Sequence, residues 1–426
     1  MTILRNNKLL KDISIYISSD VINKIVPFLL LPVLTRYLSP SDYGIISMFF
    51  VLTSILGIVM TVETNTAIGV FFFKKSHDDL KVFIANVIII ISILTTITLL
   101  FSMIFEDMLA KLLALPLEWI ILGVVVTLSQ FFTTINLVLW QSEHNAIPTG
   151  VYQVSQTLVN VSLSLVLIIG LKMGWEGRLI AISFASIIFG MYSLRLLFKR
   201  DYVKIKFDKE SCKEAFSFGV PLLPHALSVW FRTGIDRIFL TTFISAAATG
   251  MYTVAFQIAS VLSIISVALN KAFVPYLYKK LNNINDLEKR KLVSYSYLYF
   301  LALLIIAFLL SILAPYIIKY FLGEAFSDSQ KYIRLLAFSF AFQGMYLMVV
   351  NYILYMKKTA SLSYITISIS ILHIVLCYVL IKANGLIGAS QAALITSFLT
   401  FICVWWLSNR VYCMPWGSLF FRDENV

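Results

Sequence analysis

Two pairs of opposite charge stand in stretches that are otherwise apolar. Asp20 and Lys24 are four residues apart, as are Arg232 and Asp236, with Arg237 beside the second pair. Four residues is about one helical turn, so each pair lies on one helical face. A charge at mid-bilayer costs roughly 2.5 to 3.5 kcal/mol even on the lenient insertion scale, so these side chains either line a cavity or neutralise each other as a brace. In the cavity reading, Lys24, Arg232 and Arg237 attract an anionic head group such as a pyrophosphate, Arg through a planar fork and Lys as a point charge. The carboxylates of Asp20 and Asp236 would release the basic partners or bind a proton or Na⁺. Glu63 is a third candidate for coupling to H⁺ or Na⁺, although Glu63 and Lys271 stand nearer span ends, where reaching back to the interface suffices.

Uncharged polar residues form stripes at helical spacing. Thr149, Gln153, Gln156, Asn160 and Ser164 step by four, three, four and four along one apolar stretch. Ser129, Thr133 and Asn136 do the same in another, and Ser363, Thr366, Ser370 and His373 in a third. Such stripes serve either as glue between helices or as the wall of a hydrated cavity, and Gln153, Gln156 and Asn160 are the candidates for contact with a polar cargo. Trp230 and Tyr346 lie deep in their spans, where an aromatic face suits a sugar ring as well as core packing. Trp119, Trp140, Trp175 and Trp416 stand at predicted span ends and are expected as interfacial anchors.

The elements that position these residues are membrane helices. Of 426 residues, 59% are apolar and 13% charged, against roughly 25% charged in soluble domains. The mean hydropathy of +0.88 comes from repeated apolar runs of about 20 residues, each long enough for ~30 Å of hydrocarbon. Backbone groups in lipid must satisfy one another, which requires helices. Spans are expected at about 13 to 38, 43 to 68, 82 to 105, 118 to 140, 149 to 171 and 178 to 198, then 215 to 244, 249 to 275, 292 to 320, 332 to 356, 360 to 382 and 387 to 410. The first is expected to remain as an uncleaved helix. Most of the 34 Lys and Arg fall in the N-terminal stretch, after even-numbered spans or in the C-terminal stretch, which places both termini in the cytoplasm. The net charge of +12 therefore reports topology, and no nucleic-acid partner is expected.

Cys212, Cys377, Cys403 and Cys413 lack paired spacing, and no Walker A loop, His-Glu-x-x-His or dinucleotide fingerprint occurs. No metal, organic cofactor or enzyme site is expected, and the loops between spans are too short for a separate catalytic domain.

The chain reads as two lobes of six helices, 1–198 and 215–426, joined by a basic cytoplasmic linker at 199–214. Leu38-Ser-Pro-Ser-Asp-Tyr-Gly44 parallels Ile244-Ser-Ala-Ala-Ala-Thr-Gly250, and Pro27 and Pro32 in span one parallel Pro221 and Pro224 in span seven. Six spans per copy put the repeat axis along the membrane normal, with cargo expected between the halves. The paired prolines predict bends in the first helix of each half.

The stretches Pro32-Val-Leu-Thr-Arg-Tyr-Leu-Ser-Pro-Ser-Asp-Tyr-Gly44, Gly219-Val-Pro-Leu-Leu-Pro-His-Ala-Leu-Ser-Val-Trp230 with Ile235-Asp-Arg237, Gly250-Met-Tyr-Thr-Val-Ala-Phe256 and Phe273-Val-Pro-Tyr-Leu-Tyr278 resemble the O-antigen and polysaccharide flippase family (Wzx- or RfbX-like), in the superfamily that includes MATE exporters. The resemblance spans nearly the whole chain. It implies an all-α membrane bundle of about twelve helices that moves an undecaprenyl-pyrophosphate-linked oligosaccharide, an O-antigen or capsule repeat unit, from the cytoplasmic to the periplasmic leaflet of a bacterial inner membrane. By motif it carries over only Asp236 and Arg237. Implied partners are the polyprenyl-linked glycan, the bilayer, and the polymerase and chain-length proteins of the same pathway. The rival readings are a MATE-like cation-coupled exporter, which favours carboxylates in its cavity, and a membrane-embedded glycan polymerase, which needs a substantial catalytic loop.

Overall fold

A computed structural model describes residues 23, 25, 26, 28–282 and 284–417. Asp20, Lys24 and Pro27 lie outside the described residues, so the expectations resting on them are not met by any structural observation. Among the described residues there are helices and connections and no strand. Two compact units divide the chain, Met1–Gly250 and Met251–Val426.

Unit 1 begins with α1 (Phe28–Tyr37) and α2 (Pro40–Thr61). Ser39 caps α2: its hydroxyl accepts from the Asp42 amide at 3.1 Å, the Asp42 carboxylate accepts from the Ser39 amide at 2.8 Å, and Pro40 fills a position that needs no amide donor. Loss of such a cap costs about 1 kcal/mol. There follow α3 (Thr64–Phe71), α4 (His77–Ile104), α5 (Glu106–Leu113), α6 (Leu117–Ser142), α7 (Ala146–Leu165, prolonged by a π-helical turn at Val166–Gly170), α8 (Gly174–Lys199), α9 (Lys209–Gly219) and α10 (Leu223–Phe243). The second span is thus broken into α2 and α3. Span seven is interrupted where Pro221 and Pro224 stand, by a 3₁₀ turn at Val220–Leu222, in keeping with the bend read from those prolines.

The two motifs paired by sequence meet at one crossing. A Cβ on Gly44 would overlap the backbone oxygen of Ala246, and a Cβ on Gly250 would overlap that of Pro40. Only glycine lets the start of α2 and the first turn of α11 (Ala246–Ala259) approach this closely. The small residues that made the motifs look alike are therefore required by contact.

Unit 2 continues with α12 (Val261–Leu281), α13 (Asp286–Phe321), α14 (Gln330–Tyr355), α15 (Thr359–Asn384) and α16 (Leu386–Val411). Helix α14 is its centre, packed against α12, α13 and α16. Polar residues here act between helices: Ser339 Oγ and Ser397 Oγ lie 2.9 Å apart, Asn351 donates to Asn270 Oδ1 at 2.8 Å, and His373 Nδ1 lies 3.0 Å from Thr396 Oγ1.

Ten helices among the described residues are long and apolar enough to cross a membrane. The difference from twelve has two sources. Helix α10 carries Arg232, Asp236 and Arg237 and so falls short on hydropathy, and only part of the first span is described.

The stretch 199–214, expected as a linker between lobes, lies inside unit 1. It is held along α4: the Lys204 amide donates to the Lys81 carbonyl at 3.3 Å, Asn86 Nδ2 donates to the Lys206 carbonyl at 2.8 Å, and Asn86 Oδ1 accepts from the Asp208 amide at 2.9 Å. One fully buried asparagine supplies both side-chain bonds. The interfacial role expected of Trp140 and Trp416 also gives way to packing. Trp140 is buried with the Arg200 guanidinium 5.0 Å over its ring, and Trp416 is buried against Tyr297 and Trp405. Trp119 and Trp175, half-buried, meet edge to face at 5.2 Å.

Candidate functional site

The predicted site residues that are described fall in unit 1, in three places. Arg232, Asp236 and Arg237 share α10, which packs against α2 and α5. Asp236 is 1% exposed; its Oδ1 accepts from the Arg237 amide at 2.8 Å and lies 3.6 Å from Arg237 Nη1. Arg237 also donates to the Thr233 carbonyl one turn back. Arg232 is half-buried. Of the two readings open for Trp230, a sugar face or core packing, its surroundings match packing: it is buried, its ring covers Gly234, and its Nε1 donates to Ser54 Oγ of α2 at 2.9 Å.

Glu63 stands at the break between α2 and α3. Val62 and Glu63 are both left-handed, with φ of 48° and 54°. Non-glycine residues adopt this region sparingly, at about 1 kcal/mol or more each. Glu63 is half-buried, its Oε2 accepting from Thr66 Oγ1 at 3.4 Å.

The third place is the polar stripe of α7. Gln153 and Gln156 are half-buried and make no hydrogen bond among the described residues. Thr157 between them and Asn160 donates to Asn23 Oδ1 at 2.6 Å, tying α7 to the chain just before α1. At the far end of the stripe Asn160 and Ser164 receive Arg178 of α8. Arg178 Nη1 donates to Asn160 Oδ1 at 2.7 Å and to Ser164 Oγ.

Arg178, at the start of the sixth expected span, is 8% exposed and has no carboxylate partner among the described residues. Its ionisable neighbour is the phenol of Tyr43, on the first turn of α2. A guanidinium so withdrawn and so neutrally held keeps most of its positive field. A signal for it was present: folding α7 and α8 back to back about residue 171 sets Arg178 opposite Ser164.

The Ser129, Thr133 and Asn136 stripe of α6 is glue. Tyr152 of α7 places its hydroxyl 3.4 Å from Thr133 Oγ1 and 2.7 Å from Ser193 Oγ, and Asn136 Nδ2 donates to the Ser193 carbonyl at 2.8 Å. No cluster of His, Cys, Asp and Glu suited to a metal occurs among the described residues.

The described residues define a multi-pass helical bundle of the membrane class. The solved structures agree: an inward-facing MATE family multidrug resistance transporter of the MOP superfamily matches with a TM-score of 0.72 at 16% identity, over 91% of this chain and 95% of that one. The inward closed lipid II flippase MurJ matches with a TM-score of 0.75 at 14% identity, over 93% and 87%. The profile of the polysaccharide biosynthesis protein family matches residues 9–280, and the chain belongs to that family. The MatE profile matches residues 221–379. A Haemophilus influenzae protein described as an uncharacterized membrane protein is 28% identical over 86% of this chain and 89% of its own length. Protein 1 of the Lsg locus of the same organism is 26% identical over 92% and 98%.

Proposed function

We propose that the protein is a flippase that carries a polyprenyl-pyrophosphate-linked oligosaccharide from the cytoplasmic to the outer leaflet of a bacterial inner membrane, with both termini cytoplasmic. The observation that carries this reading is a withdrawn positive charge held by neutral groups. Arg178 is 8% exposed, donates to Asn160 and Ser164, and has no carboxylate partner among the described residues. Such a charge suits an anionic cargo; an exporter of cations needs carboxylates in excess. The glycan hydroxyls need hydrogen-bond partners while they cross ~30 Å of hydrocarbon, which Gln153, Gln156 and Asn160 supply, while the polyprenyl tail stays in lipid.

The mechanism is alternating access, with Arg232 and Arg237 of α10 as temporary counterions for the diphosphate and Arg178 and Lys24 as further positive charges along its path. Release follows when the arginines turn back to their protein partners, Arg237 to Asp236 and the Thr233 carbonyl, and Arg178 to Asn160 and Ser164. Asp236, Glu63 and Asp20 are the groups through which H⁺ or Na⁺ would couple to the cycle. No organic cofactor or covalent step is needed. The polymerase and chain-length proteins of the pathway would consume the product outside.

The test is loss of function with retained insertion. Replacing Arg232 and Arg237 together by Gln is expected to reduce surface glycan at least tenfold while membrane abundance stays near normal. Normal surface glycan in that variant would remove the charge-capture mechanism. Faster efflux of cationic dyes by the intact protein would favour the MATE-like reading instead.

A further inference from the structure

The stretch 203–208, between α8 and α9, is neither helix nor strand, and its order of residues is Val-Lys-Ile-Lys-Phe-Asp. Its course is set by α4. Lys204 is bonded opposite Lys81, and Lys206 and Asp208 opposite Asn86. Five residues of helix rise about 7.5 Å, so the chain climbs by that much along α4. It leaves the polar first turn of α4, with Asp78, Asp79 and Lys81, and ends beside the apolar run that begins at Val82. The stretch therefore reaches the depth at which head groups give way to acyl chains.

One edge of the stretch is covered by α4 and the side chains are open. Ile205 is 81% exposed and Phe207 70% exposed, among the highest values of the apolar residues described. Lys204 and Lys206 are exposed too, and make no ion pair among the described residues. The neighbouring acids are engaged elsewhere. Asp201 receives Lys81, and the Asp208 carboxylate accepts from the Ser211 amide at 2.8 Å and the Ser211 hydroxyl at 2.6 Å. Alternating basic and apolar residues at this depth match an anionic lipid surface in both charge and polarity.

We propose that residues 204–207 form a binding site for anionic phospholipid in the leaflet on this side of the membrane. Ile205 and Phe207 enter the outermost acyl region, and Lys204 and Lys206 hold phosphate groups. The site clamps α4 and the α8–α9 connection to the lipid surface. It rests on the membrane fold alone and not on the identity of the cargo.

Two measurements on the full-length protein test it. Native mass spectrometry in detergent, with phosphatidylglycerol or phosphatidylcholine added, should show phosphatidylglycerol retained by the wild-type chain and held roughly tenfold or more weakly by Lys204→Gln/Lys206→Gln, since a lysine at an anionic surface contributes about fivefold. Phosphatidylcholine binding should not differ. In nanodiscs, the emission added by Phe207→Trp over the wild-type background should be quenched by lipids brominated near the head group, with Ile205→Trp as a second probe. Equal phosphatidylglycerol binding by wild type and variant, or added emission reached by aqueous iodide and not by brominated lipid, overturns the proposal.

Discussion

Helix α8 carries a buried or half-buried arginine at each end, and the two are held in opposite ways. Arg178 and Arg200 are separated by about 33 Å of helix, roughly the hydrocarbon thickness. Arg200 donates to Glu143 Oε1 at 2.5 Å and to Asn136 Oδ1 at 2.9 Å, and lies over the rings of Trp140 and Tyr202. Tyr202 donates to the same Glu143 oxygen at 2.5 Å. Burial, and then the Glu143 carboxylate, push the Tyr202 phenol up from its ordinary value. Every charge there has its opposite. Among the described residues Arg178 has only Asn160, Ser164 and the phenol of Tyr43. A compensated arginine is a brace, whereas an uncompensated one is a place where a mobile anion gains binding energy.

The contrast can be broken most severely at Arg178. Arg178→Met should lower glycan export at least tenfold with normal membrane abundance, and Arg178→Lys should fall between, because a point charge replaces the planar fork. Surface glycan measured beside membrane protein level decides this, and full export by Arg178→Met would make Arg178 a brace like Arg200. Glu143→Ala should do the reverse. It strips Arg200 of its carboxylate and should lower stability by about 1 to 2 kcal/mol, discounted for the partial exposure of both groups, as seen in detergent thermal unfolding. Export by the folded fraction should be unchanged.

Asn86→Ala sharpens the same comparison nearby, since one side chain supplies two of the bonds that hold the 203–208 stretch to α4. The expected loss is about 1 kcal/mol and local, read as faster hydrogen exchange over 203–211 with α6 to α8 unaffected. The smallest effect is that of pH. The Lys81 hydrogen bond holds the Asp201 carboxyl below its usual value, and bonds from Ser211 do the same for Asp208. Folded values that are depressed give a contribution that is complete above about pH 4 and lost as pH falls through the folded values. Protection from exchange over 200–211, taken relative to the intrinsic rate at each pH, should therefore fall in acid below pH ~4 and change little between pH 5 and 8.

Much of the fold could be read from hydropathy. The runs expected at 118 to 140, 332 to 356 and 387 to 410 appear as α6, α14 and α16 with ends within a few residues. The prolines at 221 and 224 marked the interruption before α10. The site was less legible. Asp236 and Arg237 were found because charges in an apolar run stand out, but Arg178 was missed because it follows a loop and reads as a span end. The α6 stripe was legible as a stripe, and its work as glue was not, since that depends on Tyr152 reaching across from α7.

Composition and the ~20-residue apolar runs settled that this is a helical membrane protein, because lipid offers no partner for an unpaired backbone group. They settled equally which residues are charged inside it. Which of those charges are matched depended on packing. Arg200 meets Glu143 fifty-seven residues away and Arg178, among the described residues, meets only neutral oxygens, and no local spacing encodes a distance that the folding of three helices against one another creates.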